Sequence, residues 1–151
     1  MTNNDVLRRV RYILKYSDHQ MIELFQLAGH AVRLEEVHAW LKKIDDPLLV
    51  PIADRELALF LNGLIIDKRG KREGPLPKPE DPLSNNMILQ KLKIAFNLTS
   101  DDILEMFNSS NKQLSKHELS AFFRKPNHRS YRPCMDQYLR NFLGALNARC
   151  E

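Results

Sequence analysis

The chain has 151 residues, 43% of them hydrophobic and 28% charged, with a formal net charge of +4. That is a globular composition, long enough for one medium domain or two small ones. The longest apolar run, Leu57 to Ile66, is interrupted by Asn62 and Gly63 and falls far short of the roughly 20 residues that a membrane span needs. The opening MTNNDVLRRVR lacks the apolar stretch of a signal peptide, and Cys134 and Cys150 show no paired spacing. A reduced, cytoplasmic setting with no membrane contact is therefore expected.

The first helix is expected after Asn3-Asn4, where Val6, Leu7, Val10, Ile13 and Leu14 form an apolar stripe at helical spacing. The twin asparagines read as N-caps, because a short side-chain carbonyl satisfies a free helix N–H. A second helix follows Ser17-Asp18 and carries Met21, Ile22, Phe25 and Ala28. Gly29, just past its end, suits a left-handed cap. A third carries Val37, Trp40 and Leu41. Glu36 keeps half of a capping box whose first position is Arg33. A loop through Pro51 leads to a fourth helix that starts near Asp54 and buries Leu57, Phe60, Leu61 and Leu64. Lys68, Arg69, Lys71 and Arg72 lie where that helix ends; cations there complement the helix dipole, and the functional alternative is anion contact. Residues 70–84, GKREGPLPKPEDPLS, hold Pro75, Pro77, Pro79 and Pro82 and read as a semi-rigid linker.

From residue 85 the pattern restarts. Asn85-Asn86 repeats Asn3-Asn4, and adding 82 keeps matching without a gap. Leu7 meets Leu89, Glu23 meets Glu105, Phe25 meets Phe107, and Glu36, Ala39 and Lys43 meet Glu118, Ala121 and Lys125. Pro51 meets Pro133, Asp54 meets Asp136, and Leu57, Phe60, Leu61 and Leu64 meet Leu139, Phe142, Leu143 and Leu146. Thr99-Ser100 precedes the second helix of this copy, Asn111 takes the place of Gly29, and Ser115 with Glu118 makes a full capping box. No segment alternates with period two. The fold expected is all-α: a tandem duplication of a four-helix unit with pseudo-twofold symmetry, comprising repeat 1 (1–69), the Pro-rich linker (70–84) and repeat 2 (85–151).

The stretches NNDVLRRVRYIL, FLNGLIIDKRGK, NNMILQKLKIAF and DDILEMF resemble the YehS-like family of small bacterial proteins over essentially the whole chain. The resemblance implies the same boundaries and duplication. It brings no activity, substrate or cofactor to carry over.

Catalytic signals are sparse. There is no phosphate loop, GxGxxG or HExxH, and no cofactor is implied. The histidines His19, His30, His38, His117 and His128 fall in no metal-ligand spacing that both copies keep. Cys134 lies near His128 in sequence, without any sign of a base or an oxyanion site. Asp45-Asp46 and Asp101-Asp102 suit turns and helix starts.

One segment stands out. Residues 124–133, RKPNHRSYRP, set Arg124, Lys125, Arg129 and Arg132 around His128 and Tyr131, the usual chemistry of phosphate and base contact. Copy one reads KKIDDPLLVP at the same place. Lys/Arg and Asp/Glu balance over residues 1–84, so the whole positive excess lies in residues 85–151. A solvated loop is the plain alternative. Helices two and three could form a helix-turn-helix with Lys116, His117, Ser120 and Arg124 on one face, though copy one offers acids there. The function expected is a non-catalytic protein-interaction or scaffold module, with an unidentified protein or a second copy as partner. The alternative is nucleic-acid binding through the basic face of repeat 2.

Overall fold

The computed structural model describes residues 1–109 and 113–151, and these contain eight helices and no strand. The chain divides into two compact units, Met1–Leu83 and Ser84–Glu151. Unit 1 holds α1 (Asn3–Leu14), α2 (Asp18–Leu27), α3 (Leu34–Trp40) and α4 (Asp54–Arg69). Unit 2 repeats them as α5 (Asn85–Ala95), α6 (Ser100–Asn108), α7 (Lys116–Phe122) and α8 (Asp136–Arg149).

Hydroxyl caps begin five of the helices, whereas α3, α4 and α8 follow Arg33, Ala53 and Met135, whose side chains make no cap bond. Ser17, Thr99 and Ser115 accept a hydrogen bond from the third residue of their helices, whose own side chain bonds back to the cap. Those reciprocal bonds satisfy two otherwise orphaned N–H groups. Arg33 keeps only the return half: its N–H donates to Glu36 Oε1 at 3.1 Å. Gly29 has φ of 82°, the left-handed value expected past α2. Its counterpart Asn111 lies outside the described residues. The first helix of each unit also ends on a left-handed residue, Lys15 (φ 58°) and Asn97 (φ 54°), at equivalent positions.

The core of unit 1 sets α4 mainly against α2, with α1 also on α4 and α3 on α2. Val6, Leu7, Val10 and Ile13 of α1, Met21, Leu24 and Phe25 of α2, and Val37 and Trp40 of α3 are buried with Leu57, Phe60, Leu61 and Leu64. Phe25 packs on Trp40 and Phe60 at centroid distances of 5.4 and 5.5 Å. Unit 2 buries Ile88, Leu89, Leu92, Ile103, Phe107, Leu119, Phe122, Leu139, Phe142, Leu143 and Leu146 in the same register. The units differ where α4 meets α2. A Cβ at Gly63 would collide with the Leu24 carbonyl, so only glycine permits that approach. Unit 2 carries Ala145 at the equivalent position.

The twin asparagines are not the caps that their position suggests. The N-caps are Thr2 and Ser84, one residue earlier. Asn4 is buried and ties α1 to the loop after α3. Its Nδ2 donates to the carbonyls of Trp40 and Val50, each at 2.9 Å, and its Oδ1 accepts from Ile52 N–H at 3.1 Å. Asn86 repeats this with the carbonyls of Phe122 (3.0 Å) and Arg132 (2.9 Å) and the N–H of Cys134 (2.8 Å). Asn3 and Asn85 join the carbonyl of Ile52 or Cys134 to the carboxylate of Asp54 or Asp136. Threonine and serine take the caps, leaving both asparagine side chains for backbone groups that would otherwise be buried without partners.

Residues of the Pro-rich stretch touch unit 1. Leu83 is buried and its N–H donates to Asp54 Oδ2 at 2.9 Å, and Leu76 lies beside Gly29. No helix among the described residues is long and apolar enough to cross a membrane.

Candidate binding site

The asparagine clamp positions the loop that precedes the last helix of each unit, and the two loops share one backbone. In unit 2, His128 N–H donates to the Lys125 carbonyl (2.9 Å), Tyr131 N–H to the His128 carbonyl (2.9 Å) and Arg132 N–H to the Ala121 carbonyl (3.1 Å). In unit 1 the equivalent bonds run from Asp46 to Lys43 (2.9 Å), Leu49 to Asp46 (3.1 Å) and Val50 to Ala39 (3.1 Å). Even the side-chain cap is reproduced. Leu48 N–H donates to Asp46 Oδ1 and Ser130 N–H to His128 Nδ1, each at 2.9 Å. His128 therefore does the work of an aspartate in a turn. Its Nδ1 is an acceptor, which leaves Nε2 as the ring atom free to meet a ligand.

Surface chemistry on that shared backbone differs. In unit 2, Arg124, Lys125 and Arg129 are exposed and carry no carboxylate partner among the described residues. Arg132, also exposed, pairs with Glu118 at 3.2 Å, and its carbonyl is held by Asn86. Tyr131 is half-buried. The loop thus offers three free cations, with the fourth already engaged. In unit 1 the same turn presents Ile44 and Leu48, each 68% exposed, and Val50, 48% exposed. That exposed aliphatic set was not evident from the sequence, where KKIDDPLLVP carries two lysines and two aspartates and no arginine.

Lys68 and Arg69 form the last turn of α4, with Lys71 and Arg72 exposed beyond it. Lys68 Nζ sits 5.7 Å from the ring centroid of Tyr16. The helix-turn-helix reading fares poorly: α3 and α7 have seven residues each, and Lys116 approaches Asp101 at 3.7 Å.

Nucleophilic chemistry at Cys134 is disfavoured. The thiol is buried, and burial, helped by the nearby Asp136 carboxylate, pushes it up to about 12. A thiol in that range holds almost no thiolate at neutral pH. No three His, Cys, Asp or Glu side chains gather in metal-binding geometry among the described residues.

These features define a class: a duplicated helical-repeat protein in which two equivalent loops carry different surfaces on one frame. The chain belongs to the family described as "Protein of unknown function (DUF1456)", whose model matches residues 3–70 and again 85–150. It is 42% identical over 150 residues, 99% of this chain and 96% of the relative, to "Uncharacterized protein YehS" of Escherichia coli (strain K12). No solved structure matches it.

Proposed function

We propose that this chain is a non-catalytic protein-interaction module that engages its partner through the α3–α4 loop of unit 1. The observation that carries this reading is the pair of loops with one backbone and two surfaces. Ile44, Leu48 and Val50 stand exposed on a turn whose carbonyls and amides are held by Asn4, Asp46 and Ala39. An aliphatic cluster on a fixed loop meets an apolar cleft with little ordering cost, and Asp45 at its edge favours a cationic rim on the partner.

The test is capture from an Escherichia coli lysate by the immobilised wild-type chain and by a triple variant, Ile44→Ser, Leu48→Ser and Val50→Ser. The protein most retained by the wild type is then purified and titrated against both by calorimetry. Because the three positions are exposed, the triple variant should melt within about 0.5 kcal/mol of the wild type. Equal affinity of the two chains for the captured protein refutes the assignment.

A second reading, nucleic-acid binding through the basic face of repeat 2, is favoured by the three unpaired cations Arg124, Lys125 and Arg129. Each phosphate contact releases counterions, so affinity should fall steeply with salt. Replacing all three with Ser should flatten that slope by about three. An unchanged slope in fluorescence anisotropy removes this reading.

A further inference from the structure

The outward face of α1 gathers side chains that neither loop uses. Arg8, Arg11, Tyr12, Lys15 and Tyr16 line an open concavity in unit 1. Helical spacing sets Arg8 and Tyr12 one turn apart with Arg11 alongside, opposite the buried Val6, Leu7, Val10 and Ile13, and the left-handed Lys15 and then Tyr16 follow the end of the helix. Most of the set is held in place. Tyr16 donates its hydroxyl to Asp67 Oδ2 at 2.6 Å, with Lys68 above its ring. Arg8 donates to the Lys42 carbonyl at 2.8 Å and to Asp5 at 3.2 Å. Arg11 donates to the Tyr16 carbonyl at 3.1 Å and to Asp18 at 2.7 Å. A guanidinium has five N–H donors, so each arginine keeps others free. Tyr12 is the exception: it is 72% exposed and has no ring partner among the described residues.

We propose that this face binds single-stranded nucleic acid, with one base stacked on Tyr12 and the flanking phosphate on Lys15, while Arg8 and Arg11, paired with Asp5 and Asp18, line the concavity beside them. An unengaged aromatic ring between cations is the arrangement that stacks a base while following a sugar–phosphate backbone. A duplex keeps its base faces covered and gives the ring nothing to stack on. The local carboxylates are already committed, Asp5 to Arg8, Asp18 to Arg11 and His38, and Asp67 to Tyr16, so they leave Lys15 and Lys68 unopposed. Unit 2 supplies the internal comparison. At the same places it carries Gln90, Lys93, Ile94, Asn97 and Leu98, with Arg149 in place of Asp67. Its core register is unchanged, so the fold does not require the cation–tyrosine set.

The test is an anisotropy titration of the full chain against a labelled oligothymidylate of about 12 nucleotides, within the span that single-strand sites cover. It is run from low to physiological salt. The disruptive variant combines Tyr12→Ile and Lys15→Asn, the residues that unit 2 already accommodates at these sites. It should bind about tenfold or more weakly, the scale of one lost stacked base with one lost phosphate contact. Tyr12→Trp should keep the affinity and lose part of its emission on binding, because a stacked base quenches an indole. The proposal is overturned if the wild type does not bind at low salt, if the double variant binds as the wild type does, or if a duplex of equal length competes equally. It is also overturned if Arg124→Ser, Lys125→Ser and Arg129→Ser together abolish binding that Tyr12→Ile with Lys15→Asn leaves intact. That last result would place the contact in unit 2. None of these outcomes bears on protein docking by Ile44, Leu48 and Val50.

Discussion

Asn4→Ala removes one side chain and three hydrogen bonds. Two of those bonds are fully buried, from Asn4 Nδ2 to the Trp40 carbonyl and from Ile52 N–H to Asn4 Oδ1; the third, to the Val50 carbonyl, is partly open to water. Each buried orphan costs about 1–3 kcal/mol, and the partly exposed one costs less because water can replace the amide, so the sum is about 3 kcal/mol. Capping predicts otherwise: a lost cap costs about 1 kcal/mol, and it is Thr2→Ala, not Asn4→Ala, that should show it. The two are separable because the chain has a single tryptophan, Trp40, buried in unit 1 beside Phe25. Its fluorescence in urea reports unit 1 alone. With a slope of about 1 kcal/mol/M for a unit of this size, Asn4→Ala should lower the midpoint by about 3 M. Asn4→Asp adds a check of sign. A carboxylate facing two carbonyl oxygens has its pKa raised on folding, so its penalty is full above that raised value and absent below the unfolded one. Asn4→Asp should therefore gain stability, relative to the wild type, as pH falls from 7 towards 4. An Asn4→Ala midpoint within 0.5 M of the wild type, with Thr2→Ala the more damaging, would refute the clamp, since about 0.5 kcal/mol is what an exposed site costs.

Three further outcomes follow from the packing and the charges. Phe142→Ala should cost unit 2 about 3–5 kcal/mol, the range for a fully buried phenylalanine, read by circular dichroism in urea; a wild-type melt would show that Phe142 is not core. Gly63→Ala should destabilise unit 1 by more than about 1 kcal/mol, because the new Cβ meets backbone that no rotamer change can move. Gly144→Ala, where the space is open, should stabilise unit 2 by about 0.5–1 kcal/mol; the reverse order would refute the close approach of α4 to α2. Asp18 is held below its ordinary 3.8 by a hydrogen bond from His38 and then by Arg11. A lowered folded pKa gives stability that is present above the unfolded value and lost as pH falls through the folded one. Asp18→Asn should thus lower the Trp40 midpoint at pH 7 and leave it unchanged at a pH well below 3.8.

The helices were legible because their signals are local. Ser17, Thr99 and Ser115 precede apolar runs of period 3.6, and the offset of 82 residues gave each helix a second, independent reading. The asparagines were misread because Asn before an apolar run is a good cap by propensity, and Thr2 and Ser84 sit one residue further out. A stronger cue was present. Asn3, Asn4 and Asp54 recur as Asn85, Asn86 and Asp136 while most polar positions have diverged. Exposed Glu23 and Lys43 recur as Glu105 and Lys125 too, so kept polar identity gave these asparagines only as candidates, and their burial is a tertiary fact. The cations of residues 124–132 were legible as charge, but that Arg132 is spent on Glu118 and that His128 caps a turn are tertiary facts. The α1 face needed more still. Only the folded unit brings Asp67 and Lys68 to Tyr16, more than fifty residues away in sequence.

The clamp leads to a last prediction about how surfaces diverge on this fold. The loop bonds that set the turn run backbone to backbone, are donated by Asn4 or Asn86, or are accepted by a side chain two residues before the donating N–H. None of them depends on the side chains at 44, 45, 47, 48 or 50, or on their equivalents at 126, 127, 129, 130 and 132. Replacing residues 44–50, IDDPLLV, with PNHRSYR from residues 126–132 should then preserve the turn. The histidine brought in at 46 can cap as His128 does. Ile44 N–H makes no bond in the turn, so proline at that place costs no donor. Leu49 and Tyr131 are both half-buried, so that exchange should be accommodated at the surface. The exchanged chain should unfold within about 1 kcal/mol of the wild type by Trp40 fluorescence, as expected for substitutions at largely exposed positions. A loss of more than about 2 kcal/mol would mean that the loop's own side chains hold its shape, because exposed positions alone do not cost that much. If the exchange is tolerated, the stability of unit 1 places no constraint on what the loop displays. The difference between an aliphatic turn in one unit and a cationic turn in the other then has to be explained by what each surface meets.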